Sequence, residues 1–399
     1  MYIQNQKGFT IVEILIASVL GLFLTAVIIS IYVGNQNTFR SAQGVARSQE
    51  TTRFATHFLK TDIRQAGYQG CSKGVSKRPL LDSTNDSFSP SVEGAIFGWE
   101  FNNTSVGDNY TLDYETLDTD FTQGDVDTAR ENNSSPGSEW SSQFIQGIPG
   151  TLTSTELPQS IADLNPISGS DIVVLSISDT FDLFVQRQSN QRATTLTTIN
   201  QNGAIVPSGI DRGSIISVGD CSSIDIFQNG ANAGDSFLSI ENAGNIQPGN
   251  DLNNTFQWQK RWDENASIYT TNTILYYIGT GARGIPSLYR YTTTCGLDGN
   301  CGATAAELIE GVETMQILYG VDTTRNGAAN TYVSADDVPD FRDVVAVKAG
   351  LLIRSPEAAN VETGNGTFTI LDQIQFDPPD DRFQRYVNNT TIRLQNSGL

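Results

Sequence analysis

Histidine and methionine are nearly absent from this chain. Its 399 residues include one histidine, His57, and two methionines. Many hydrolase and metal sites need histidine, and the sequence has no G-x-S-x-G elbow, P-loop or H-E-x-x-H motif. The sequence therefore predicts a protein that is not an enzyme and that holds no cofactor or metal. We expect His57, which lies beside Phe54 and Phe58, to be a packing or surface residue.

Basic residues are also scarce. The chain has 24 Lys and Arg against 44 Asp and Glu, a formal net charge of −20. Because such a surface repels phosphate backbones, nucleic acid is not expected as a partner. We interpret the acidity as a solubility feature of a body outside the cytoplasm. Few lysines, with abundant Ser, Thr, Asn, Gly and Asp, favour strands and loops over a helical bundle.

Cysteine is limited to Cys71, Cys221, Cys295 and Cys301. In an exported body, an even number of cysteines indicates disulfides, and four cysteines allow three pairings. Cys295 and Cys301 bracket a turn with two glycines, so we expect them to pair locally and Cys71 to pair with Cys221. A metal site is the alternative, but histidine is absent nearby and the thiols are not clustered in the sequence.

One long apolar run is present, over residues 9–33. A helix of roughly 20 apolar residues spans the hydrocarbon core of a bilayer. The run contains a carboxylate, Glu13, which costs at least ~2.5 kcal/mol in that environment unless it is paired. Lys7 and Gly8 precede the run, whereas a secretory signal has its small-residue cleavage site after the run. An ordinary membrane anchor with a stray glutamate is the alternative.

The arrangement Lys7-Gly8-Phe9, with Glu13 four residues further on, resembles the class III signal of type IV pilins and pseudopilins. The resemblance implies that a prepilin peptidase cleaves between Gly8 and Phe9 and that Phe9 is then N-methylated. It also implies that Glu13 neutralises the terminal amine of a neighbouring subunit, since two charges that are costly in lipid become tolerable as a pair. The helix would first anchor the chain in the inner membrane and later form part of a filament core.

The helix is expected to continue beyond the membrane. Residues 34–66 lack proline and keep a helical apolar spacing, and Gly67 and Gly70 provide a stop. A helix over residues 9–66 would be on the order of 85 Å long. Its second half would pack on a globular domain. The candidates for that face are Phe39, Ala42, Ala46, Phe54, Phe58 and Ile63.

The remainder predicts a β-rich body. Residues 72–170 lack periodicity and predict short strands in long loops, and the acidic run 113–127 predicts a solvated loop, with a weak cation site as the alternative. Residues 305–321 predict a short helix that runs into a strand, and residues 343–354 predict a half-buried antiparallel strand. Further strands, separated by Gly, Asn and Pro clusters, are expected at 172–177, 215–218, 224–227, 274–278, 288–291 and 382–394.

Residues 322–327, with the sequence DTTRNG, match a calcium-binding loop only in part. Thr324 replaces an acidic ligand, Arg325 adds a positive charge, and Val333 stands in the place of the terminal glutamate. The sequence favours a plain hairpin turn, and calcium binding is the alternative.

A second resemblance rests on motifs in the C-terminal third. They are ELIEGVE at 307–313, QILYGVD at 316–322, VVAV at 344–347 and LLIRS at 351–355, with AGYQGC at 66–71. These motifs are similar to the PilW family of type IV minor pilins, over about residues 1–75 and 285–399. The resemblance implies an α+β, pilin-like fold, in which a long N-terminal helix packs on an antiparallel β-rich domain with long loops.

We therefore divide the chain into a prepilin leader (1–8), a transmembrane or filament-core half of the helix (9–33), an amphipathic half (34–66) and a β-rich globular domain (67–399). The family resemblance implies a minor pilin that contributes to the initiation of pilus assembly and to the tip complex. Other minor pilins, the major pilin and a tip adhesin would be its partners. The cellular outcome would be twitching motility, DNA uptake, or attachment by cell adhesion. The body would lie in the periplasm before assembly and on the cell-surface pilus afterwards.

Two other functions are weighed against this one. A type II secretion pseudopilin of similar size typically lacks the equivalent of Glu13, and the PilW-like C-terminal third also argues against it. A membrane-anchored enzyme or binding module is disfavoured by the signal at Gly8 and Phe9 and by the missing catalytic residues.

Overall fold

The computed structural model describes residues 10–68, 76–81, 95–102, 104–112, 139–142, 157–241, 249–252, 256–295, 303–358 and 366–396. They form an α+β protein, with a helix of 55 residues followed by a β-rich body, so the predicted fold class is confirmed. The helices are α1 (Ile11–Gln65) and α2 (Gln159–Ala162), and 3₁₀ turns lie at Ala335–Asp337 and Phe341–Asp343.

The described strands, in chain order, are β1 (Ser76–Pro79), β2 (Ile96–Phe101), β3 (Asn109–Thr111), β4 (Trp140–Ser141), β5 (Ile172–Val185), β6 (Thr195–Ile199), β7 (Ile215–Gly219), β8 (Ser223–Gln228), β9 (Phe237–Ser239), β10 (Ser267–Thr280), β11 (Pro286–Thr293), β12 (Thr304–Glu310), β13 (Val312–Val321), β14 (Thr331–Val333), β15 (Val344–Ala358), β16 (Phe368–Ile370), β17 (Ile374–Asp377) and β18 (Phe383–Arg393). The strands predicted at 172–177, 215–218, 224–227, 274–278, 288–291 and 382–394 correspond to β5, β7, β8, β10, β11 and β18.

Helix α1 is continuous from the apolar segment into the body, as the sequence predicts. Its end is fixed at Gly67, which has a φ of +76°. A Cβ atom at this position would lie 2.6 Å from the Cβ of Ala95, so both the backbone conformation and the close approach require glycine. Gly67 therefore ends the helix as predicted, while Gly70 lies outside the described residues.

The packing face of α1 differs from the predicted one. Its buried residues are Gly44, Ser48, Ala55, Leu59 and Ile63. Of the predicted face only Ile63 is buried. Phe39, Phe54 and Phe58 are 68%, 44% and 37% exposed, and Ala42 and Ala46 are exposed as well.

Two neighbouring apolar stripes made this part of the helix ambiguous. Ala55 and Leu59 are each one residue beyond Phe54 and Phe58, a rotation of about 100° around the helix. A polar contact selects between them. Asp62 accepts hydrogen bonds from the Tyr276 hydroxyl (2.6 Å) and from Arg290 Nε (2.8 Å), so the stripe that contains Leu59 is turned toward the body.

Strand β10 is the centre of the largest sheet. One edge of β10 pairs with β5, and the other pairs first with β7 and then with β11, all antiparallel. The main path of this sheet is β1-β8-β7-β10-β5-β2-β4, with β12 beyond β11 and with β6 and β9 beyond β5. Strand β1 runs parallel to β8, with Ser76 opposite Ser223.

Residues 304–310 form strand β12, so the short helix predicted at the start of 305–321 is wrong. Strand β12 pairs antiparallel with β11, with Glu307 opposite Tyr289. Gly311, with a φ of +86°, then turns the chain into β13. The local sequence contains good helix formers, but a helix of two turns is marginal by itself, and pairing with the open edge of β11 outweighs the propensity.

Strand β15 is buried on both faces, so the prediction of a half-buried strand is wrong, although its antiparallel pairing is correct. It lies between β13 and β18 in a four-stranded sheet. Leu351 and Ile353 share a hydrophobic cluster with Leu59 of α1. Leu352 points into a second cluster against the small β16-β17-β3 sheet. The prediction missed this second layer because its residues are distant in sequence.

A buried ion pair joins β13 and β18, the two strands that flank β15. Arg385 on β18 donates to Glu313 on β13 through Nε (2.7 Å) and an Nη atom (3.0 Å), and also binds Asp381. The side chains of Arg385 and Glu313 are both 0% exposed. Removing one partner of a buried pair leaves an uncompensated charge, which costs about 3–5 kcal/mol. Replacing either Arg385 or Glu313 alone is therefore expected to destabilise the fold.

The middle part of the chain is built around a separate aromatic cluster. Trp258 and Trp262 are fully buried there with Phe227 and with apolar residues of β5–β8 and the start of β10. This cluster belongs to the part of the chain for which the sequence resemblance makes no statement.

A pair of buried carboxyl groups joins the two larger sheets. Asp171, just before β5, accepts hydrogen bonds from the backbone N–H of Phe101 in β2 (3.1 Å) and of Ile317 in β13 (2.7 Å). Its own N–H donates to the Met315 carbonyl (2.8 Å). Glu100 is 1% exposed and shares a hydrogen bond with Asp171. Since two adjacent buried carboxylates repel each other, this pair holds a proton.

We predict that this pair makes the body less stable at alkaline pH. Burial and the neighbouring Asp171 and Asp336 raise the pKa of Glu100 well above its usual range. Burial raises the pKa of Asp171 to about 7, although backbone N–H donors oppose the shift. Both folded values lie above the unfolded ones of roughly 4. The stabilisation is therefore complete below that pH and is lost as the pH rises through about 7.

Thermal and chemical unfolding of the full chain in detergent, at about pH 5 and pH 8, measures this loss, expected to be on the order of 1–3 kcal/mol. Glu100→Gln should reduce the loss, because its amide donates permanently to Asp171. Asp211→Asn, at an exposed carboxylate, is the matched control. An equal alkaline loss in Glu100→Gln and the parent chain would contradict the prediction.

Candidate functional site

The first half of α1 has no packing partner among the described residues. The large apolar side chains of residues 11–33 are 40–78% exposed, and the most apolar window of α1 has a mean hydropathy of 2.8 and 0% burial. The helix is long and apolar enough to cross a membrane. At roughly 25 cal/mol per Å² of apolar area in water, this surface requires lipid or other helices around it.

The hydroxyl groups in this apolar half are satisfied locally. Ser18 donates to the Ile14 carbonyl (2.7 Å) and Thr25 donates to the Gly21 carbonyl (2.8 Å). Both hydroxyls are thus bonded before the helix enters lipid, where an unsatisfied polar group is costly. Around the Cα of Gly21 there is open space, which permits close approach of a neighbouring helix. This half is suited both to a bilayer and to a bundle.

Glu13 caps the N-terminus of α1 together with Thr10. Glu13 Oε2 accepts from the Thr10 backbone N–H (2.9 Å) and hydroxyl (3.0 Å), and the Glu13 N–H donates back to the Thr10 hydroxyl (3.3 Å). This is a capping box, and the positive end of the helix dipole favours a carboxylate there. The carboxylate is thereby held at the very start of the apolar helix. Gly8 and Phe9 lie outside the described residues.

The second half of α1 is attached to the body by polar contacts on both sides. Besides Asp62, Thr56 donates to Asn388 Oδ1 on β18 (3.0 Å). The Tyr276 hydroxyl is buried beside Asp62, and burial and that carboxylate raise the pKa of Tyr276, so the hydroxyl keeps its proton and donates. Because the contacts come from both β10 and β18, the helix cannot rotate independently of the body.

The loop at Asp322 is a hairpin turn between β13 and β14, as the sequence favours. The Asp322 carboxylate accepts from the backbone N–H groups of Thr324 (3.2 Å), Asn326 (3.1 Å) and Gly327 (2.5 Å). Burial alone would raise the pKa of Asp322, but these donors outweigh it and lower the pKa. The carboxylate thus stabilises the turn. No group of three or more metal-ligating side chains occurs among the described residues.

The other predicted site residues are only partly within the described ranges. Cys221 and Cys295 are each disulfide-bonded. Cys71 and Cys301 lie outside the described residues, so the pairing stays a prediction. The acidic run 113–127 also lies outside them. His57 is exposed on α1, in agreement with its assignment as a packing or surface residue.

Two features of the site were missed by the sequence reasoning. The capping box could have been found, because Thr10 and Glu13 have the spacing S/T-x-x-E that marks helix N-termini. The Asp62 contacts could not, because Tyr276 and Arg290 are 214 and 228 residues away in sequence.

Comparison with known families gives two matches. Residues 275–396 match the family described as PilW, Type IV Pilus-assembly protein W, and residues 3–29 match the prokaryotic N-terminal methylation motif. No curated protein and no solved structure matches the chain. The PilW range begins within β10 and ends just after β18, so it includes β15 and β18, on which α1 packs. Residues 30–274 lie outside both matches.

The two matched ranges correspond to the exposed half of α1 and to the strands on which its other half packs. The methylation motif covers the first, exposed half of α1, and the PilW range covers the strands that hold the second half. The pilin family implies a structural protein that is a prepilin peptidase substrate and that interacts with other pilus components. Together the two matches support a PilW-like minor pilin of a type IV pilus.

Proposed function

We propose that this protein acts in the initiation of pilus assembly and remains in the tip complex, with other minor pilins, the major pilin and a tip adhesin as its neighbours. Its mechanism is packing and display, not catalysis. The observation that carries the proposal is the fully exposed apolar half of α1 with Glu13 at its first turn. The body would lie in the periplasm before assembly and on the cell surface afterwards.

Several features support a non-catalytic role. His57 is exposed on α1, away from any described acid–base partner. The carboxyl groups with raised pKa values, Glu100 and Asp171, are buried between sheets and not in an open cleft. A catalytic group must reach its substrate, so these groups are better explained as structural. No observation favours a pseudopilin of type II secretion.

Glu13 is proposed to pair with the terminal amine of a neighbouring subunit. Thr10 donates twice to Oε2 of Glu13, and Oε1 has no hydrogen-bond donor among the described residues. One oxygen is thus held by the helix terminus while the other is left for an incoming cation. A charged amine and a carboxylate that are both costly in lipid become tolerable together. The pair would draw a new subunit into register along the helix.

We predict that the mature chain begins at Phe9. Cleavage after Gly8 leaves an amine next to Thr10 and the capping box, where Glu13 of a neighbour can reach it. Mass spectrometry of the N-terminal peptide from membranes and from sheared filaments measures this. The expected peptide starts with N-methylated Phe9, and a terminus at Met1 or beyond Val33 would contradict it.

We predict that Glu13→Ala spares membrane insertion but blocks assembly. Removing a charge from the apolar segment makes insertion no harder, whereas an unpaired amine in the filament core costs several kcal/mol. The ratio of protein in sheared filaments to protein in membranes should fall at least about tenfold.

The matched control for this prediction is Glu50→Ala, which removes an exposed carboxylate from the second half of the same helix. It should leave the ratio nearly unchanged. Normal incorporation of Glu13→Ala would show that the pairing role is wrong.

The proposed disulfides are Cys71–Cys221 and Cys295–Cys301. Cys221 lies in the turn between β7 and β8, and Ser76, where β1 begins, lies opposite Ser223. The Thr294 carbonyl accepts from the N–H of Ile215, at the other end of β7, so Cys295 is about 13 Å further along that strand. The first described residue of β1, Ser76, therefore lies nearer to Cys221 than to Cys295, which supports this pairing.

We predict that Cys71→Ser lowers the melting temperature of the full chain more than Cys301→Ser. In the chain-entropy model, a bridge that closes about 150 residues contributes roughly 4–5 kcal/mol and a very short loop roughly 2 kcal/mol. Thermal unfolding in detergent gives the ranking, and peptide mapping without reduction gives the connectivity. A Cys71–Cys295 or Cys71–Cys301 peptide would overturn both.

A further inference from the structure

The second half of α1 is basic although the chain is acidic. The chain has a net charge of −20, whereas residues 34–66 hold five basic residues against two acidic ones, a net charge of +3. The seven residues are Arg40, Arg47, Arg53, Lys60, Arg64, Glu50 and Asp62. One of the two acids, Asp62, is used by the body. The exposed side of this segment is therefore more basic than the count suggests.

Three of these cations form a stripe beside the face of α1 that packs on the body. Arg53, Lys60 and Arg64 follow one another at spacings of seven and four residues, which places them on one side of the helix. All three are exposed, and they lie about 100–140° around the helix from Leu59, next to the stripe of Ala55 and Leu59 that packs on the strands.

The C-terminal end of this stripe borders a cleft between α1 and the end of β18. The cleft is lined by Lys60 and Arg64 of α1 and by Arg393, the last residue of β18. Its volume is about 420 Å³. Ile392 and Leu394 line it as well and are 1% exposed. We name this feature, defined by Lys60, Arg64 and Arg393, the basic cleft.

Within the part of the chain that the structure describes, the cations of the basic cleft contact only neutral acceptors. Arg393 donates to the Gly327 carbonyl (3.1 Å), and Arg64 donates to the Gln395 amide oxygen (2.6 Å). Both acceptors are neutral. Within the described residues, no carboxylate forms an ion pair with these three cations. Three like charges around one space repel each other unless an anion enters.

Two anion sources are disfavoured by position and charge. Lys60 is 27 residues beyond Val33, or about 40 Å along the helix, and lipid headgroup charge is screened within about 10 Å. A nucleic acid long enough to occupy the cleft would also approach the acidic remainder of the chain and be repelled. A compact anion on a neighbouring protein is not subject to either objection.

We propose that the basic cleft binds clustered carboxylates on the adjacent subunit of the filament. Arginine and lysine around a concave site match carboxylates in charge and geometry. A subunit whose helix packs on the first half of α1 is carried alongside the second half, which places its body next to the cleft. This inference rests on the proposed assembly role. The cleft would fix the axial register of the neighbour, which a uniform apolar helix surface leaves undefined.

The test is site-specific photocrosslinking in piliated cells, with the full chain carrying benzoylphenylalanine in place of Thr391, which lines the cleft and is exposed. Mass spectrometry should identify a crosslinked peptide from another pilus subunit with two or more Asp or Glu residues. Reversing the cleft charge with Lys60→Glu and Arg393→Glu should lower the crosslink yield roughly tenfold or more.

Two further variants keep the test decisive. Lys60→Gln with Arg393→Gln removes the charges without adding repulsion and should give an intermediate loss. Arg212→Glu, at an exposed cation far along the chain, is the matched control and should crosslink like the parent. Replacing the crosslinked acids of the partner by lysine should restore the yield of the charge-reversed cleft.

The possible failures are distinguishable. A crosslink to lipid, to nucleic acid or to residues 397–399 of the same chain would overturn the proposal, as would an unchanged yield after charge reversal. If the parent chain enters filaments but the cleft gives none of the expected crosslinks, only the basic cleft inference fails. If the parent chain never enters filaments, the proposed assembly function fails as well.

Discussion

The attachment of α1 to β15 and β18 is the constraint on which the rest of this structure depends. A single helix has to pack against lipid or other helices over its first half and against a folded body over its second half. It does so because Ala55, Leu59 and Ile63 are small or aliphatic enough to approach the strands closely, and Asp62 fixes the rotation. Once this rotation is set, the positions of Phe54, Lys60 and Arg64 on the outer surface follow. The rotation of α1 on the body therefore determines which of its side chains are exposed to other subunits.

That same attachment explains which part of the chain is recognisable. The PilW match spans the strands that hold α1 and the buried pair of Arg385 and Glu313, all of which must remain compatible with one helix. The aromatic cluster around Trp258 and Trp262 contains no residue of α1 and lies outside the matched range. The two regions are joined through β10, which takes part in both, and through Asp171, whose hydrogen bonds link β2 with β13.

The distribution of charge along α1 gives the helix three distinct surfaces. The first half is apolar all round except for Glu13 and a few small hydroxyl residues. The second half has an aliphatic face toward the body, and its remaining surface is basic with exposed aromatic rings. Apolar packing between helices is strong but tolerant of sliding, because each turn offers a similar surface. Localised charges at both ends, Glu13 and the basic cleft, are the features that can specify register.

The sequence by itself determined what is local or repetitive. The apolar run with Glu13, the continuation of α1 to Gly67 and the alternating or β-branched strands could be predicted, because each depends on neighbours within a few residues. The tertiary structure alone decided the packing face of α1, the strand at 304–310 and the double burial of β15. In each case the deciding partner is distant in the chain: Tyr276 and Arg290 for the helix, the edge of β11 for β12, and the β16–β17 layer for β15. Periodicity in the sequence shows that a residue can be buried, but the assembled body determines which residues it packs against.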